Sequence, residues 1–402
     1  MGISGIGTDG TVLVIGAGPQ GSATARHLAE AGCAVTIVGP EEPHTHVGHE
    51  GTWAGHYDQG RIAATDPLFV PTVVGLRAMG RYQEIEQASG IPFTTMLPQL
   101  VLFDDPADNP TAAVSESGRE LEALLSNCRD FGTSADVLDG AQVRLRFPGL
   151  QIPPKQVGVC QDDAIVVNPR ALVRAELALA ETAGARRVVD EVVSLSTQSE
   201  GIVARTASGE EIRAAGAVVA TGAATNALGL LPRRMQTSVF GATMVLFAVD
   251  PAAVPHFPTL MYISEHFGGG IVIPPVQYPD GRWYIKCASG ELVSRPLQTR
   301  SDIAAWASSG GNPDEIDYFR VLVPDFLPGV ELGEAITKPC LVGMTADGGS
   351  YVDHVDERTV VVYDGQRGVM MADELGRLAA DLIRTGQWTD ALPRQLFRVR
   401  WQ

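Results

Sequence analysis

The sequence is poor in cysteine and aromatic residues and has no long apolar run. Its five cysteines among 402 residues are widely spaced and odd in number, which excludes a disulfide framework and a CxxC metal site. We expect reduced thiols. No apolar run reaches the roughly 20 residues that a membrane helix needs, and the first ten residues lack the basic and apolar blocks of a signal peptide. We therefore expect a cytoplasmic protein with no membrane partner.

Basic residues are also scarce relative to acidic ones. The chain has 30 lysines and arginines against 47 aspartates and glutamates, a formal net charge of −17. Such a charge opposes binding to phosphate backbones and anionic surfaces, so we expect no nucleic-acid partner. A length of 402 residues with 45% hydrophobic residues predicts two domains, in a monomer or small homo-oligomer.

Residues 11–38 show an apolar run, a glycine turn, a helical pattern and a second apolar run, which predicts a βαβ unit. Gly16, Gly18 and Gly21 lie in the turn. They would allow a tight bend, close approach to a pyrophosphate and close packing of helix on strand. A dinucleotide is the expected ligand. Gly39 stands where an acidic residue normally binds the ribose, so we expect Glu41 or Glu42 to reach it instead.

Two later blocks complete this pattern. Residues 164–228 predict a helix, a strand (RRVVDEVVSLS), a hairpin and a buried strand, and residues 359–384 predict a strand, a glycine turn and a helix. The segments 238–250, 269–278 and 281–290 predict strands, with a hairpin turn at 279–281. We expect a mostly parallel dinucleotide-binding domain built from residues 1–80, 155–235 and 333–402, with a substrate domain at 81–154 and 236–332.

The motifs GAGPQGSATARHLAEAG, VVATGAATNAL and the C-terminal strand–glycine–helix segment, in this order, resemble the D-amino acid oxidase superfamily of FAD enzymes. Within it the chain most resembles the monomeric sarcosine oxidase branch. The resemblance implies an α/β fold, α+β overall, in which a glutathione-reductase-type FAD-binding Rossmann domain carries an inserted antiparallel-sheet substrate domain.

In that branch a cysteine binds the flavin covalently, within a segment that CLVGMTADGGSYVD resembles. The resemblance implies that Cys340 attaches the FAD through its 8α-methyl group and that Met344 lies beside it. The alternative is a buried, inert thiol beside a noncovalent FAD.

The resemblance also implies three catalytic residues. Lys286 matches a lysine that lies over the flavin and activates dioxygen; the alternative is a strand lysine at the domain surface. Arg61 matches an arginine that approaches the flavin, and His56 matches a histidine of the same loop. His44, His46 and His49 have no metal-site spacing, so we expect solvated loop histidines and no metal.

Further cofactor contacts are implied at Val193 and Gly222 in the middle block, and at Gly365 and Gly368 before the last helix. The N-terminus of that helix would face the flavin carbonyl where negative charge develops. A simple turn would also explain the two C-terminal glycines.

Two substrate-binding cations of the family are absent. Ala64 and Met370 stand where the amino acid oxidases of the family hold a substrate carboxylate. A buried unpaired carboxylate is costly, so a simple amino acid substrate requires Arg367 or Arg61 to take over. Met370 and Met371 instead indicate an adaptable apolar pocket.

These features predict an FAD-dependent amine oxidase that acts on a secondary, cyclic or amino-acid-derived amine and uses dioxygen. Two alternatives stay open: a flavin dehydrogenase with another electron acceptor, and a non-catalytic flavin-binding subunit. A nicotinamide-binding module is disfavoured, because the sequence has one nucleotide motif where an enzyme using both coenzymes typically needs two.

Overall fold

The computed structural model describes residues 5–7, 10–107, 115–264 and 268–402. Its helices are α1 (Pro19–Glu30), α2 (Phe69–Ser89), α3 (Glu116–Phe131), α4 (Gly140–Arg146), α5 (Pro169–Thr182), α6 (Thr225–Leu228), α7 (Arg300–Ser309), α8 (Glu315–Phe326) and α9 (Ala372–Thr385). Within these described residues, no helix is long and apolar enough to cross a membrane.

The strands are β1 (Thr11–Ile15), β2 (Ala34–Val38), β3 (Arg61–Ala63), β4 (Thr94–Met96), β5 (Gln99–Asp104), β6 (Asp136–Leu138), β7 (Gln156–Gln161), β8 (Ile165–Val167), β9 (Arg186–Val188), β10 (Val192–Gln198), β11 (Gly201–Thr206), β12 (Glu211–Ala214), β13 (Gly216–Val219), β14 (Thr237–Ala248), β15 (Thr259–Ser264), β16 (Gly268–Gln277), β17 (Trp283–Ser289), β18 (Ala335–Thr345), β19 (Tyr351–His354) and β20 (Thr359–Tyr363).

A six-stranded sheet has the order β19-β20-β13-β1-β2-β9, and only its β19–β20 pair is antiparallel. Its central strand β1 is buried on both faces, as the apolar run predicts. Val12 and Val14 pack toward helices α1, α2, α5 and α9. Leu13 and Ile15 pack toward the small antiparallel sheet β10-β11-β12. The parallel βαβ pattern predicted from residues 11–38 is confirmed.

A second, eight-stranded sheet has the order β18-β14-β17-β16-β15-β5-β7-β6. Its pairs are antiparallel as predicted, except that β5 and β15 run parallel. These two strands are far apart in sequence and are not joined by a hairpin, so nothing forces them to be antiparallel. Helix α8 covers one face of this sheet with Phe319, Leu322 and Phe326.

The segment RRVVDEVVSLS was expected to form one strand, and this expectation was wrong. It forms β9, which joins the parallel sheet, and β10, which pairs with β11. The chain changes sheets at Asp190, whose carboxylate accepts a 2.6 Å bond from the Ser208 hydroxyl.

The predicted domain boundaries stay a prediction, and residues 1–4, 8–9, 108–114 and 265–267 lie outside the described residues. Two strands inside the predicted FAD segments, β7 and β18, belong to the eight-stranded sheet. The segment that carries Cys340 is therefore hydrogen-bonded to the sheet expected to bind substrate.

Candidate cofactor and active site

One cavity of about 640 Å³ joins the two large sheets. At one end it is lined by Gly16 and Gly18, which follow β1, and at the other by Val101, Met244 and Met261 of the eight-stranded sheet. Its size lies in the range typical of small-molecule and cofactor sites. A cleft beyond the carboxyl ends of parallel strands is where ligands of doubly wound folds bind.

The glycine turn has no room for side chains. Gly16 has φ +106°, and a Cβ atom there would lie 2.4 Å from Ala220 O. At Gly21 a Cβ would lie 1.8 Å from Gly16 O, so this residue allows helix α1 to pack on the turn; it does not line the cavity. Gly18 precedes α1 without a side-chain cap, and the first turn of α1 has no acidic residue. This helix terminus, open and positive, fits a pyrophosphate such as that of FAD.

Neither Glu41 nor Glu42 lines the cavity, contrary to the expectation for the ribose. Glu41 lies 3.6 Å from Arg187, and Glu42 accepts a 2.6 Å bond from Arg170. A side chain at Gly39 is excluded because its Cβ would lie 2.5 Å from Ala17 N.

The carboxylates that do line this end of the cavity are Asp190 and Glu191. Glu191 accepts a bond from the Thr52 hydroxyl at 3.1 Å and pairs with Arg300 at 2.7 Å. An acidic residue for the ribose is therefore available from the β9–β10 connection instead of the end of β2.

Two cofactor contacts were expected from residues 164–228, and the structure places only one of the two residues on the cavity. Gly222 lines the cavity. Val193 is 44% exposed and lies outside the cavity wall, whereas its neighbour Val192 is buried and lines it. Since side chains alternate along a strand, a shift of one residue moves the contact to the opposite face.

At the sheet end, Cys340 lines the cavity and is 8% exposed. It lies opposite Ala242 of β14, and Lys338 lies opposite Met244 on the same face. The Sγ atom of Cys340 is 3.6 Å from Arg61 Nη2. Met344 also lines the cavity and is 39% exposed. The structure thus brings together the predicted residues Cys340, Met344 and Arg61.

A buried charge cluster lies on the same face of the sheet. Lys286 is fully buried and pairs with Asp58 at 2.7 Å; it also donates to Gln59 O at 2.9 Å and Gly60 O at 2.6 Å. Asp58 pairs with Arg61 as well, and its other oxygen accepts a 2.6 Å bond from Tyr278. Lys286 does not line the cavity, because its three ammonium hydrogens are directed at these oxygens.

Burial and mutual charge set the protonation of this cluster. Burial would raise the pKa of Asp58, but the charges of Lys286 and Arg61 lower it well below its ordinary value. Burial, helped by the charge of Arg61, lowers the pKa of Lys286 to about 8, against the opposing effect of Asp58. At neutral pH the cluster holds two cations and one anion, so a net positive charge faces Cys340.

His56 lines the cavity at the glycine turn, since a Cβ at Gly18 would lie 3.5 Å from its Nδ1. Burial, and then the charges of Arg170 and Arg61, lower the pKa of His56 to about 3. The imidazole is therefore neutral at physiological pH. Its predicted catalytic role stays a prediction, but the structure places it beside the glycine turn.

The loop between β20 and α9, residues 364–371, contacts both ends of the cavity. Gly365 and Gly368 line it, and a Cβ at Gly365 would lie 2.5 Å from Gly343 Cα of β18. Gln20 of α1 donates to Asp364 O at 3.0 Å and ties the loop to the first glycine motif. Helix α9 begins only at Ala372, so the expected helix N-terminus is separated from Gly368 by an irregular turn.

The positions of the missing cations are apolar in the structure as well. Ala64 and Met370 both line the cavity, whereas Met371 is in the core and does not. Arg367 lines the cavity too, with its Nε paired to Asp66. Both arginines that could replace the lost cations are thus already paired with aspartates.

Within the described part of the chain, no group of three histidine, cysteine, aspartate or glutamate residues could hold a metal ion. Two of the loop histidines, His46 and His49, instead pack edge-on against Trp53.

Sequence reasoning missed Asp58, Tyr278 and Gln99. Asp58 precedes Arg61 by three residues in a loop, and that spacing was the one available signal for their pairing. Tyr278 reaches Asp58 from the turn after β16, and Gln99 lines the cavity from the start of β5. Their positions depend on sheet pairing between distant segments, which the local pattern does not show.

Comparisons with known proteins agree with this geometry. The chain is similar to monomeric sarcosine oxidase from Streptomyces avermitilis, with 27% identity over 97% of this chain and 97% of that protein. It is 24% identical to N-methyl-L-tryptophan oxidase from Citrobacter koseri, over 93% of this chain and 94% of that one. Among solved structures, the unusual amino acid oxidase NikD, essential for nikkomycin biosynthesis, has a TM-score of 0.78 at 20% identity, covering 98% of each chain.

The model of the DAO family, described as FAD dependent oxidoreductase, matches residues 11–382. This match includes the glycine turn, the cavity-lining strands and nearly all of α9. The chain belongs to the DAO family of FAD-dependent oxidoreductases.

Proposed function

We propose that this protein is an FAD-dependent amine oxidase. It oxidises a C–N bond of a secondary, cyclic or amino-acid-derived amine to an imine and reduces dioxygen to hydrogen peroxide. The observation that carries this proposal is one cavity that joins a phosphate-binding glycine turn to a sheet face bearing Cys340 and the Arg61–Asp58–Lys286 cluster. The similarity to two amine oxidases supports the reaction class.

Gly16, Gly18, Gly222 and Gly365 would hold the FAD, together with Cys340. When bound, FAD supplies the electron acceptor for a hydride from the carbon next to the amine nitrogen and passes both electrons on to dioxygen. The protein orients the neutral amine, whose apolar surroundings at Met244, Met261 and Ile271 exclude water. The net positive cluster stabilises the negative charge that develops as dioxygen is reduced.

The test is to mix the purified yellow protein with amines in the absence of oxygen and then admit air. We expect bleaching by an amine, recovery of colour in air and one hydrogen peroxide per amine oxidised. Bleaching without peroxide on admission of air would contradict an oxidase and leave a dehydrogenase. Failure of a broad amine panel to bleach the flavin would contradict amine oxidation altogether.

We also propose that Cys340 attaches the flavin covalently. In support, its sulfur lines the cavity, 3.6 Å from the Arg61 guanidinium, where a bound ligand can reach it. Cys287 is a matched control: it is fully buried, faces α8 on the opposite side of the sheet, and burial raises its pKa.

On precipitation in acid, colour should stay with the wild-type polypeptide and with Cys287→Ala, and should be lost to the supernatant in Cys340→Ala. Colour in the supernatant of the wild-type protein would contradict the covalent attachment but not the FAD site.

We further propose that the protein acts in the cytoplasm as a monomer or small homo-oligomer, on a small-molecule amine and dioxygen, without nucleic-acid or membrane partners. The net charge of −17 supports the absence of phosphate-rich partners.

A further inference from the structure

Gln99 is a buried amide that lines the cavity at the start of β5. It is 3% exposed, and its Nε2 has a single contact, with the thioether of Met261 at 4.0 Å. A thioether is a weak acceptor. Among the described residues, the amide oxygen of Gln99 has no hydrogen-bond partner. Because Gln99 lines the cavity, a ligand bound there could satisfy this amide.

A second buried glutamine lies on the adjacent strand and can be compared with Gln99. Gln161 of β7 lies directly opposite Gln99, and its amide is fully used: it accepts from Thr65 N at 3.0 Å and donates to Thr65 O at 3.2 Å. Two glutamines thus lie side by side in one sheet, one of them bonded to the protein and one facing the cavity.

The surroundings of Gln99 are apolar. Val101, Met261 and Ile271 are paired across β5, β15 and β16 and line the same cavity. In such a wall a single unsatisfied amide can fix the orientation of a ligand, since apolar contacts are not directional.

The two arginines at this end of the cavity are already paired, so neither is free to bind a substrate carboxylate. Arg61 and Arg367 are paired with Asp58 and Asp66. Glu120 also lines the cavity, and it has neither an ion pair nor a hydrogen bond within the described residues. Burial, and then Glu116 and Asp66, raise its pKa against the opposing charge of Arg367, so a further cation such as an ammonium group would favour the carboxylate form.

We propose that Gln99 orients the substrate and that the substrate is an amine without a free carboxylate, whose N–H donates to the Gln99 amide oxygen. The inference rests on the proposed amine oxidation and deepens it by naming the substrate class. Glu120 attracts the cationic form of the amine to the cavity.

The test compares amines with the corresponding amino acids: pyrrolidine with L-proline, piperidine with L-pipecolate, and N-methyltryptamine with N-methyl-L-tryptophan. Binding to the holoenzyme is measured by calorimetry after anaerobic reduction of the flavin with dithionite, so that no turnover occurs. We expect at least one amine to bind about tenfold or more tightly than its amino acid.

The variants are Gln99→Met and Gln156→Met. Gln156 is a matched control because it is a buried glutamine of the same sheet, 6% exposed, whose amide lies away from the cavity without a partner. Loss of one hydrogen bond in Gln99→Met should weaken amine binding roughly tenfold, and Gln156→Met should not. If Gln99→Met does not fold, Gln99→Asn, which withdraws the amide by one methylene, replaces it.

The inference would be overturned if every amino acid bound more tightly than its amine, or if no amine bound at all. It would also be overturned if Gln99→Met and Gln156→Met bound the amines equally well. Binding that depends on Gln99 without bleaching of the oxidised flavin would refute the proposed oxidation and leave the site standing. Bleaching of the flavin by amines, together with unaltered amine binding in Gln99→Met, would support the proposed oxidation and refute the role of Gln99.

Discussion

The Asp58 carboxylate organises the residues nearest to Cys340. It binds Lys286 at 2.7 Å, accepts from Tyr278 at 2.6 Å and pairs with Arg61. Lys286 supplies the net positive charge of this buried set and helps to hold Asp58 against Arg61. Lys286 is therefore both a positive charge near the cavity and a support for the arginine beside the thiol.

We predict that Lys286→Met slows reoxidation of the flavin by dioxygen much more than its reduction by amine, because the cluster loses its net positive charge. Since the pKa of Lys286 is lowered to about 8, the wild-type reoxidation rate should fall as pH rises through that value, and the variant should lack this fall. Stopped-flow measurement of both half-reactions across this pH range is the check.

Lys338→Met is the control for this experiment. Lys338 lies on the same sheet face but contacts the ring of Tyr278, 5.4 Å from its centroid, instead of Asp58. Equal slowing of both half-reactions by Lys286→Met would contradict the electrostatic role and indicate a structural lysine.

Some of these side chains could be found from sequence and others could not. Cys340, Arg61 and Gly16 carry motif signals, and the structure places all three on one cavity. The prediction of Val193 was wrong by one position, because the strand in this segment starts later than a continuous apolar pattern suggests. Gln99 has no local signal, since its importance comes from its unused amide.

Helices α1, α2, α5 and α9 are joined by buried ion pairs behind the six-stranded sheet. Arg26 of α1 binds Glu176 of α5 at 2.5 Å and also pairs with Asp373 of α9. Arg81 of α2 reaches Asp373 at 2.5 Å and Glu374 at 2.6 Å. Both Glu176 and Asp373 have fully buried side chains. This network fixes the helices that support the glycine turn.

The two carboxylates have opposite pH dependences. Burial raises the pKa of Glu176 from 4.5 to about 7, so the folded protein binds more protons than the unfolded chain in that window, and stability rises as pH falls through it. Burial opposes ionisation of Asp373 too, but His27 and the two arginines lower its pKa from 3.8 to about 2, so its contribution is lost as pH falls through that window.

We predict that Glu176→Gln abolishes the gain in unfolding free energy between about pH 7 and pH 4.5 and leaves the loss at lower pH in place. Urea unfolding at a series of pH values measures both. Glu200→Gln, at an exposed position, should follow the wild-type curve. A wild-type-like gain in Glu176→Gln would show that another group takes up the proton.

Elements with a strong period were predictable, and pairings between distant elements were not. The glycine turn and α1 follow from local pattern, as does the hairpin turn at Pro279–Gly281, where Tyr278 N bonds Arg282 O at 3.0 Å. The split of RRVVDEVVSLS into β9 and β10 depends on two different partner strands. Tertiary pairing overrides a continuous β pattern there.

At the scale of the whole molecule, the two large sheets of the described residues share one cavity, and the chain passes between them several times. β18 carries Cys340 in the eight-stranded sheet, and β19, β20 and α9 follow it in the six-stranded layer. The order of segments was predictable from the separated motifs, but the membership of β7 and β18 was not. In sequence, both strands are next to segments that belong to the other sheet, so amino-acid composition does not show where the chain changes sheets.

A crystal structure of the protein purified with its coenzyme tests the central claim most directly. We predict one FAD in this cavity, with its pyrophosphate at Gly16–Gly18 and its ring system beside Arg61 and Cys340. A coenzyme bound elsewhere, or a ring directed away from the Cys340 face, would contradict both the assigned site and the chemistry derived from it.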